Sequence, residues 1–127
     1  MRKLVILAIA ILISCSKDTR VKRYEQIVND SDNIRFLVYE KGEFQVARNV
    51  TEEKELQKLR QILITDIEAE EPSKFFPNKK FELIKDKRIV GYVMVLDKGA
   101  DNIAVVKIAG QKDFCFRLTY RIGMYPN

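Results

Sequence analysis

The residue types in this sequence restrict the chemistry it could perform. Its 127 residues include no His and two Cys, Cys15 and Cys115. Catalytic triads, Cys-His dyads and metal sites that need His are therefore excluded within it. On the predicted last strand Cys115 shares a face with Arg117, and a neighbouring guanidinium would favour the nucleophilic thiolate. Asp113 lies on the same face and no His can act as a base, so we predict a passive, half-buried thiol and no enzymatic activity.

Two groups of oxygen-bearing side chains could in principle bind a cation. The first group lies near the end of a predicted helix and consists of Asp66, Glu68, Glu70 and Glu71. Its spacing distributes the carboxylates around the helix, so they do not converge. The second group, which consists of Asp97, Asp101 and Asn102, does not have the spacing of an EF-hand and indicates a hairpin turn. We therefore predict no metal site and no cofactor.

The N-terminus has the pattern of a secretory signal peptide. Met1-Arg2-Lys3 is a short basic start, and an unbroken apolar run follows from Leu4 to Ile13. As a helix this run would be about 15 Å long, whereas the hydrocarbon core of a bilayer is about 30 Å thick. The run is too short to span a membrane, and small residues follow it, as in a cleaved signal.

The end of the apolar run resembles the lipobox of bacterial lipoproteins. That motif reads Leu, a small or aliphatic residue, a small residue and Cys, and here it is Leu12-Ile13-Ser14-Cys15. The resemblance implies that residues 1–14 are removed and that Cys15 carries a thioether-linked diacylglycerol and an acylated amine, commonly palmitate. Two or three acyl chains make a stable membrane anchor. Ser16, where an Asp would favour the inner membrane, implies the outer membrane if the host is Gram-negative.

Two other interpretations of the N-terminus remain open. Ala8-Ile9-Ala10 offers a different cleavage pattern for ordinary secretion, although it lies inside the apolar run. The chain could also be an uncleaved cytosolic protein with an apolar N-terminus. With the lipobox, Cys15 is consumed by lipid and Cys115 is left as a single thiol with no disulfide partner.

Cleavage would also change the charge of the protein. The full sequence has 23 Lys and Arg against 18 Asp and Glu, and loss of Arg2 and Lys3 lowers its net charge from +5 to +3. Four cations lie close behind the anchor, where they would face anionic headgroups: Lys17, Arg20, Lys22 and Arg23. Elsewhere Lys and Arg are interleaved with acids, so we expect no nucleic-acid binding.

The rest of the sequence predicts an α+β domain. Residues 15–33 would hold the lipidated Cys, a basic tether and a short helix, and residues 34–127 would form a single domain. An amphipathic helix over Leu56–Ile67, with Thr51 as its N-cap, would be the one main helix. Strands are predicted at 34–39, 44–48, 81–85, 89–96, 103–108 and 114–122. The chain order is two strands, the helix and four strands, and short loops favour an antiparallel meander of about six strands.

Apolar residues outside these elements are candidates for a partner-binding surface. Phe75 and Phe76 lie between helix and sheet, where they either close the core or form an exposed anchor. Tyr125 is a second candidate near the C-terminus. We expect a lipid-anchored envelope protein whose domain binds an envelope protein, as inhibitor, immunity and assembly-factor lipoproteins do. A small-ligand carrier or sensor is the alternative, and an enzyme built on Cys115 is a more distant one.

The lipobox leads to a direct test in the full chain. Replacing the acceptor thiol by Cys15→Ala should abolish fatty-acid labelling and leave an unprocessed precursor, because both modifications require that sulfur. Metabolic labelling and gel mobility measure the two effects. Unchanged labelling in the variant would exclude the lipoprotein interpretation.

Overall fold

The computed structural model describes residues 18–72, 74–98 and 101–118. The lipobox with Cys15 and the candidate Tyr125 lie outside these residues. Two helices and six strands follow each other in the order α1 (Thr19–Asp30), β1 (Asn33–Glu40), β2 (Glu43–Val50), α2 (Glu53–Ile64), β3 (Lys79–Lys85), β4 (Arg88–Lys98), β5 (Asp101–Lys107) and β6 (Phe114–Leu118). Neither helix in this part of the chain has the length and apolar character that a membrane span requires.

The six strands form one antiparallel sheet, which confirms the predicted α+β class. Their spatial order is β2-β1-β3-β4-β5-β6. Strands β3 to β6 follow each other as a meander, but β3 pairs with β1 and leaves β2 at the edge. The sheet therefore differs from a simple meander, because α2 and the connection after it return the chain to the side of β1 that β2 leaves free.

The core lies between the two helices and one face of the sheet. Each helix buries three residues at helical spacing: Val21, Tyr24 and Val28 from α1, and Leu56, Leu59 and Leu63 from α2. They pack against alternate strand residues, among them Phe36, Phe81, Val93, Val106 and Phe116. The sequence predicts one main helix, with a short first helix ahead of the domain. In the structure the two helices have equal length and share one core.

Tyr24 joins the two helices to the last strand. Its ring is fully buried, with centroids 5.9 Å from Phe114 and 5.8 Å from Phe116. Its hydroxyl donates a 2.7 Å hydrogen bond to the carbonyl oxygen of Leu63, near the end of α2. Burial raises the pKa of Tyr24 well above its ordinary value, so the phenol remains a donor. One side chain thus satisfies a carbonyl that the end of a helix leaves without a helical partner.

The limits of α2 differ from those expected. The N-cap is Glu52, without a side-chain cap, rather than Thr51. Val50 still pairs with Ile34 in the sheet, so Thr51 is used to turn the chain before the helix begins. The helix ends at Ile64, and Asp66 has a left-handed φ of 51°. Ile67, predicted to be helical, packs against the core from the connection that follows.

The Tyr24 hydrogen bond leads to a stability prediction. The change Tyr24→Phe should lower the free energy of unfolding by about 1–2 kcal/mol, because it leaves a buried carbonyl unpaired while preserving the ring. Tyr39→Phe, at a side chain that is 49% exposed, should change it by no more than about 0.5 kcal/mol. Urea unfolding of both variants measures the difference, and equal effects would contradict the assigned role of the Tyr24 hydroxyl.

Candidate binding groove on the back face of the sheet

The sheet has apolar residues on the face that points away from the helices, here called the back face. Met94 alternates with the core residues Val93 and Val95, and Val105 lies between two core residues of β5. Because side chains of a strand alternate between faces, Met94 and Val105 point to the back face. They are also paired across β4 and β5. Val105 is nevertheless buried, so another part of the chain covers this face.

The cover is provided by residues 70–72 and 74–78, here called the crossing segment. At one end Glu70 exchanges two backbone hydrogen bonds with Cys115 on the outer edge of β6, at 2.7 and 2.9 Å. At the other end Asn78 lies between β1 and β4. Its backbone accepts from Tyr39 N–H and donates to the Val95 carbonyl, both at 2.9 Å. To connect these two points the segment has to pass β5 and β4.

A groove of about 620 Å³ separates the crossing segment from the sheet. Its lining residues are largely apolar on both sides: Pro72, Phe75, Phe76 and Pro77 from the segment, and Met94 and Val105 from the strands. Phe75 is half-buried, whereas Phe76 is 94% exposed. Of the two placements considered for these rings, Phe76 is therefore outside the core, and Phe75 forms part of the groove.

Charged groups surround the apolar part of the groove. Lys74 and Lys107 line it together with Asp113, and Lys107 Nζ lies 2.8 Å from Asp113 Oδ2. The backbone carbonyl of Asp113 accepts a 3.2 Å hydrogen bond from Arg20 Nη1. This contact connects the rim of the groove to the first turn of α1, which is the part of the described chain closest to Cys15 in sequence.

Asp18 and Arg20 form a compact ion pair at the start of α1. Asp18 Oδ1 caps the helix by accepting the Arg20 N–H at 2.8 Å, and Oδ2 accepts from Arg20 Nη2 at 2.8 Å. These hydrogen bonds hold the pKa of Asp18 below its ordinary value of 3.8. The Arg20 guanidinium also lies 5.6 Å from the centre of the Phe114 ring. Arg20 thus has a structural partner. Lys22 and Arg23 are exposed, although Arg23 Nη2 also donates a 3.5 Å hydrogen bond to the Ala109 carbonyl.

The remaining candidates of the sequence do not converge on this groove. Cys115 is a free thiol and only 2% exposed, which is more buried than the half-buried position expected, because the Glu70 bridge covers its strand edge. Asp97 forms an ion pair with Lys79, and Asp97 pairs with Asn102 across the predicted hairpin. Within the described ranges, no three His, Cys, Asp or Glu side chains lie close enough together to hold a metal ion.

The sheet side of the groove is not among the sites predicted from the sequence. Met94, Val105 and Lys107 come from two strands, and they meet Phe75 only because the crossing segment passes over them. One signal was present in the sequence: β4 and β5 carry apolar residues in both phases of their alternation. A strand of that type is covered on both faces, which indicates a second covering element.

Asn78, which fixes the end of the crossing segment, was also missed. Its side chain accepts from Asp97 N–H at 2.9 Å and donates to the Asp97 carbonyl at 3.1 Å. With the two backbone hydrogen bonds, it ties the segment to β1 and β4. The groove is therefore held at both ends by hydrogen bonds to the sheet.

Comparison of the chain with protein-family models, with curated proteins and with solved structures gives no match.

The Asp18–Arg20 pair predicts a specific pH dependence. Because the folded-state pKa of Asp18 is lowered, its contribution to stability is present above the ordinary pKa and is lost as pH falls through the folded-state value. Asp18→Asn keeps a capping oxygen but removes the charge. We expect the wild type to lose more unfolding free energy than this variant between about pH 5 and pH 2.

Urea unfolding at a series of pH values provides the measurement. In an Arg20→Gln background the same Asp18→Asn change should have a smaller effect on the pH dependence, since the guanidinium is gone and only the backbone N–H of residue 20 still favours the carboxylate. Identical pH profiles of the wild type and Asp18→Asn would contradict the role assigned to this pair.

Proposed function

We propose that this protein is a membrane-anchored envelope lipoprotein whose α+β domain is a non-enzymatic binding module. The lipobox Leu12-Ile13-Ser14-Cys15 supports the anchor, with acylated Cys15 in the bilayer. The outer membrane, on its periplasmic or surface face, is the proposed location in a Gram-negative host. Inhibitor, immunity and assembly-factor lipoproteins are the types of protein that combine such an anchor with a small domain.

The exposed ring of Phe76 is the observation that carries the binding proposal. A phenylalanine that is 94% exposed loses the favourable free energy of burial unless something covers it. It lies beside an apolar groove whose rim carries Lys74, Lys107 and Asp113. Protein interfaces have this arrangement of an apolar centre, an aromatic anchor and a polar rim.

The position of the groove favours a partner at the membrane. Cys15 precedes Asp18 by three residues, which span at most about 10 Å. Arg20 of the same turn reaches the carbonyl of Asp113 on the rim of the groove. A lipid on Cys15 would therefore keep this end of the domain close to the headgroups, and we infer that the partner is another envelope protein that presents an apolar side chain there.

The passive role proposed for the thiol is consistent with its surroundings. Cys115 is 2% exposed, and both of its backbone groups bond to Glu70. A nucleophilic thiol needs access to its substrate and an electropositive environment. The burial of Cys115 supports a structural role and not a catalytic one.

A small-ligand carrier or sensor is the second candidate function. The volume of the groove, about 620 Å³, lies within the range of about 300–1,000 Å³ that is typical of ligand pockets. Its apolar lining would suit a hydrophobic molecule, and Lys74 on its rim could bind a polar group of that molecule.

Truncating the exposed Phe76 ring distinguishes a role of this residue in partner binding from a role in stability. Phe76→Ala should leave the free energy of unfolding within about 0.5 kcal/mol of the wild type, because the ring is exposed. It should weaken partner binding about tenfold or more if the ring is the anchor. Cross-linked capture of the tagged, natively anchored full chain from envelopes gives the partner, and urea unfolding gives the stability.

Ile89→Ala is the matched control, since Ile89 is an exposed apolar residue of β4 that does not line this groove. It should retain the partner. Capture that is equally strong with Phe76→Ala would contradict the proposed anchor. A stoichiometric apolar molecule in the purified protein, released by Phe76→Ala, would favour the carrier function instead.

A further inference from the structure

The outer edge of β2 offers a second interaction surface. Strand β2 pairs with β1 on one side, and no strand in the described part of the chain pairs with its other side. We propose that this edge joins a second copy of the chain, so that two β2 strands pair antiparallel about a two-fold axis at Gln45. This edge consists of described residues and is independent of the lipid anchor and of the groove.

The direction of the backbone groups determines which residues of β2 can form such bonds. The β1–β2 turn has two residues with positive φ, Lys41 at 53° and Gly42 at 83°, which is the geometry of a type I′ hairpin. Tyr39 pairs with Phe44, but the Tyr39 N–H donates towards β3, to the Asn78 carbonyl. Because the Tyr39 N–H points away from β2, Tyr39 and Phe44 are an opposed pair of the antiparallel ladder that exchanges no hydrogen bonds. The N–H and C=O of Phe44 therefore point outward.

The same alternation applies two residues further along. Val46 pairs with Leu37 and, like Phe44, has outward backbone groups. A two-fold axis at Gln45 places Phe44 of one copy opposite Val46 of the other, and the reverse. Each of these pairs can exchange two hydrogen bonds, which gives four across the interface. The outward groups of the strand thus match those of an identical strand.

The side chains fit the same register. Phe44 and Val46 both point to the back face, since they pair with Tyr39 and Leu37. Tyr39 is 49% exposed and Val46 is 53% exposed, and the Tyr39 and Phe44 rings meet edge to face at 5.3 Å. A second copy in this register would add a Phe44–Val46 contact on each side of the axis. Aromatic and β-branched residues opposite each other stabilise antiparallel pairs.

Charge selects the antiparallel orientation. Glu43 and Arg48 lie towards opposite ends of β2. Arg48 is on the helix face because it pairs with Glu55 of α2, and Glu43 is on that face because it alternates with Phe44. In the antiparallel pair, Glu43 of one copy lies near Arg48 of the other at both ends. A parallel pair would bring like charges together, which is unfavourable.

Two features limit the assembly to a dimer. The register between β1 and β2 shifts at Phe36 and Leu37, which pair with Arg48 and Val46, so Ala47 is an extra residue in a β-bulge. The bulge restricts regular pairing of the outer edge to the first part of β2. At the opposite end of the sheet, Glu70 occupies the edge of β6 at Cys115. Two copies joined through β2 therefore form a closed, isologous pair.

A cysteine at the proposed axis tests this register in the full chain. Gln45 of the two copies would form a directly opposed pair without hydrogen bonds, with Cα atoms about 4.5 Å apart, which is within the range for a disulfide. Gln45→Cys should therefore give a covalent dimer as the main species under mild oxidation. Glu43→Cys is the matched control, because the register separates its two copies by about 14 Å. Non-reducing electrophoresis measures the covalent dimer formed by each variant. The wild type is run beside them to show any cross-link formed through the native thiols.

A second pair of variants tests the non-covalent dimer. Val46→Lys places a charge against the apolar contact and should raise the dimer dissociation constant about tenfold or more. Ile89→Lys, at an exposed apolar residue away from the β2 edge, should leave it unchanged. Sedimentation velocity of the full chain in detergent provides the constants. Equal cross-linking of Gln45→Cys and Glu43→Cys, a monomeric wild type, or equal constants for the two lysine variants would overturn the proposal.

Discussion

The connection between α2 and β3 is the constraint on which the rest of this structure depends. Strand β3 pairs with β1, so the chain has to return from the outer edge of β6 to a position between β1 and β4. The sheet faces the helices on its other side, which leaves the back face as the route. Because backbone groups that lose contact with water need partners, hydrogen bonds fix both ends of the route, at Glu70 and at Asn78.

Several properties of the molecule follow from that path. The crossing segment covers Val105 and the edge at Cys115, which explains why a thiol on the face away from the core is buried. The same segment passes over Met94 without closing the space beneath it, and the groove is that space. Phe76 remains exposed because its neighbour Phe75 occupies the position next to the sheet. The proposed binding surface is thus a consequence of topology, and a partner at this surface would complete the cover of the back face.

The two edges of the sheet differ in whether their outward backbone groups have hydrogen-bond partners. Glu70 bonds to the edge of β6, whereas β2 keeps outward backbone groups at Phe44 and Val46 and an ion pair between Arg48 and Glu55. Charged residues and bulges are common means of limiting strand addition at an edge. Here the bulge at Ala47 and the charges at Glu43 and Arg48 restrict the edge to one register, and this selectivity is the basis of the proposed dimer. The groove and this edge lie at different places on the sheet, so the two proposals can be tested separately.

The sequence by itself determined the local features of this protein. Alternating and helical patterns predicted the six strands and the Leu56–Ile67 helix, since each depends on residues close together in the chain. The lipobox and Cys15 are likewise read locally and remain predictions. Tertiary structure alone decided that β3 pairs with β1, that Tyr24 brings α1 into the core and that Met94 and Lys107 face Phe75. These outcomes depend on which distant segments bury each other's apolar surface, and the periodicity of a single segment carries no information about its partner.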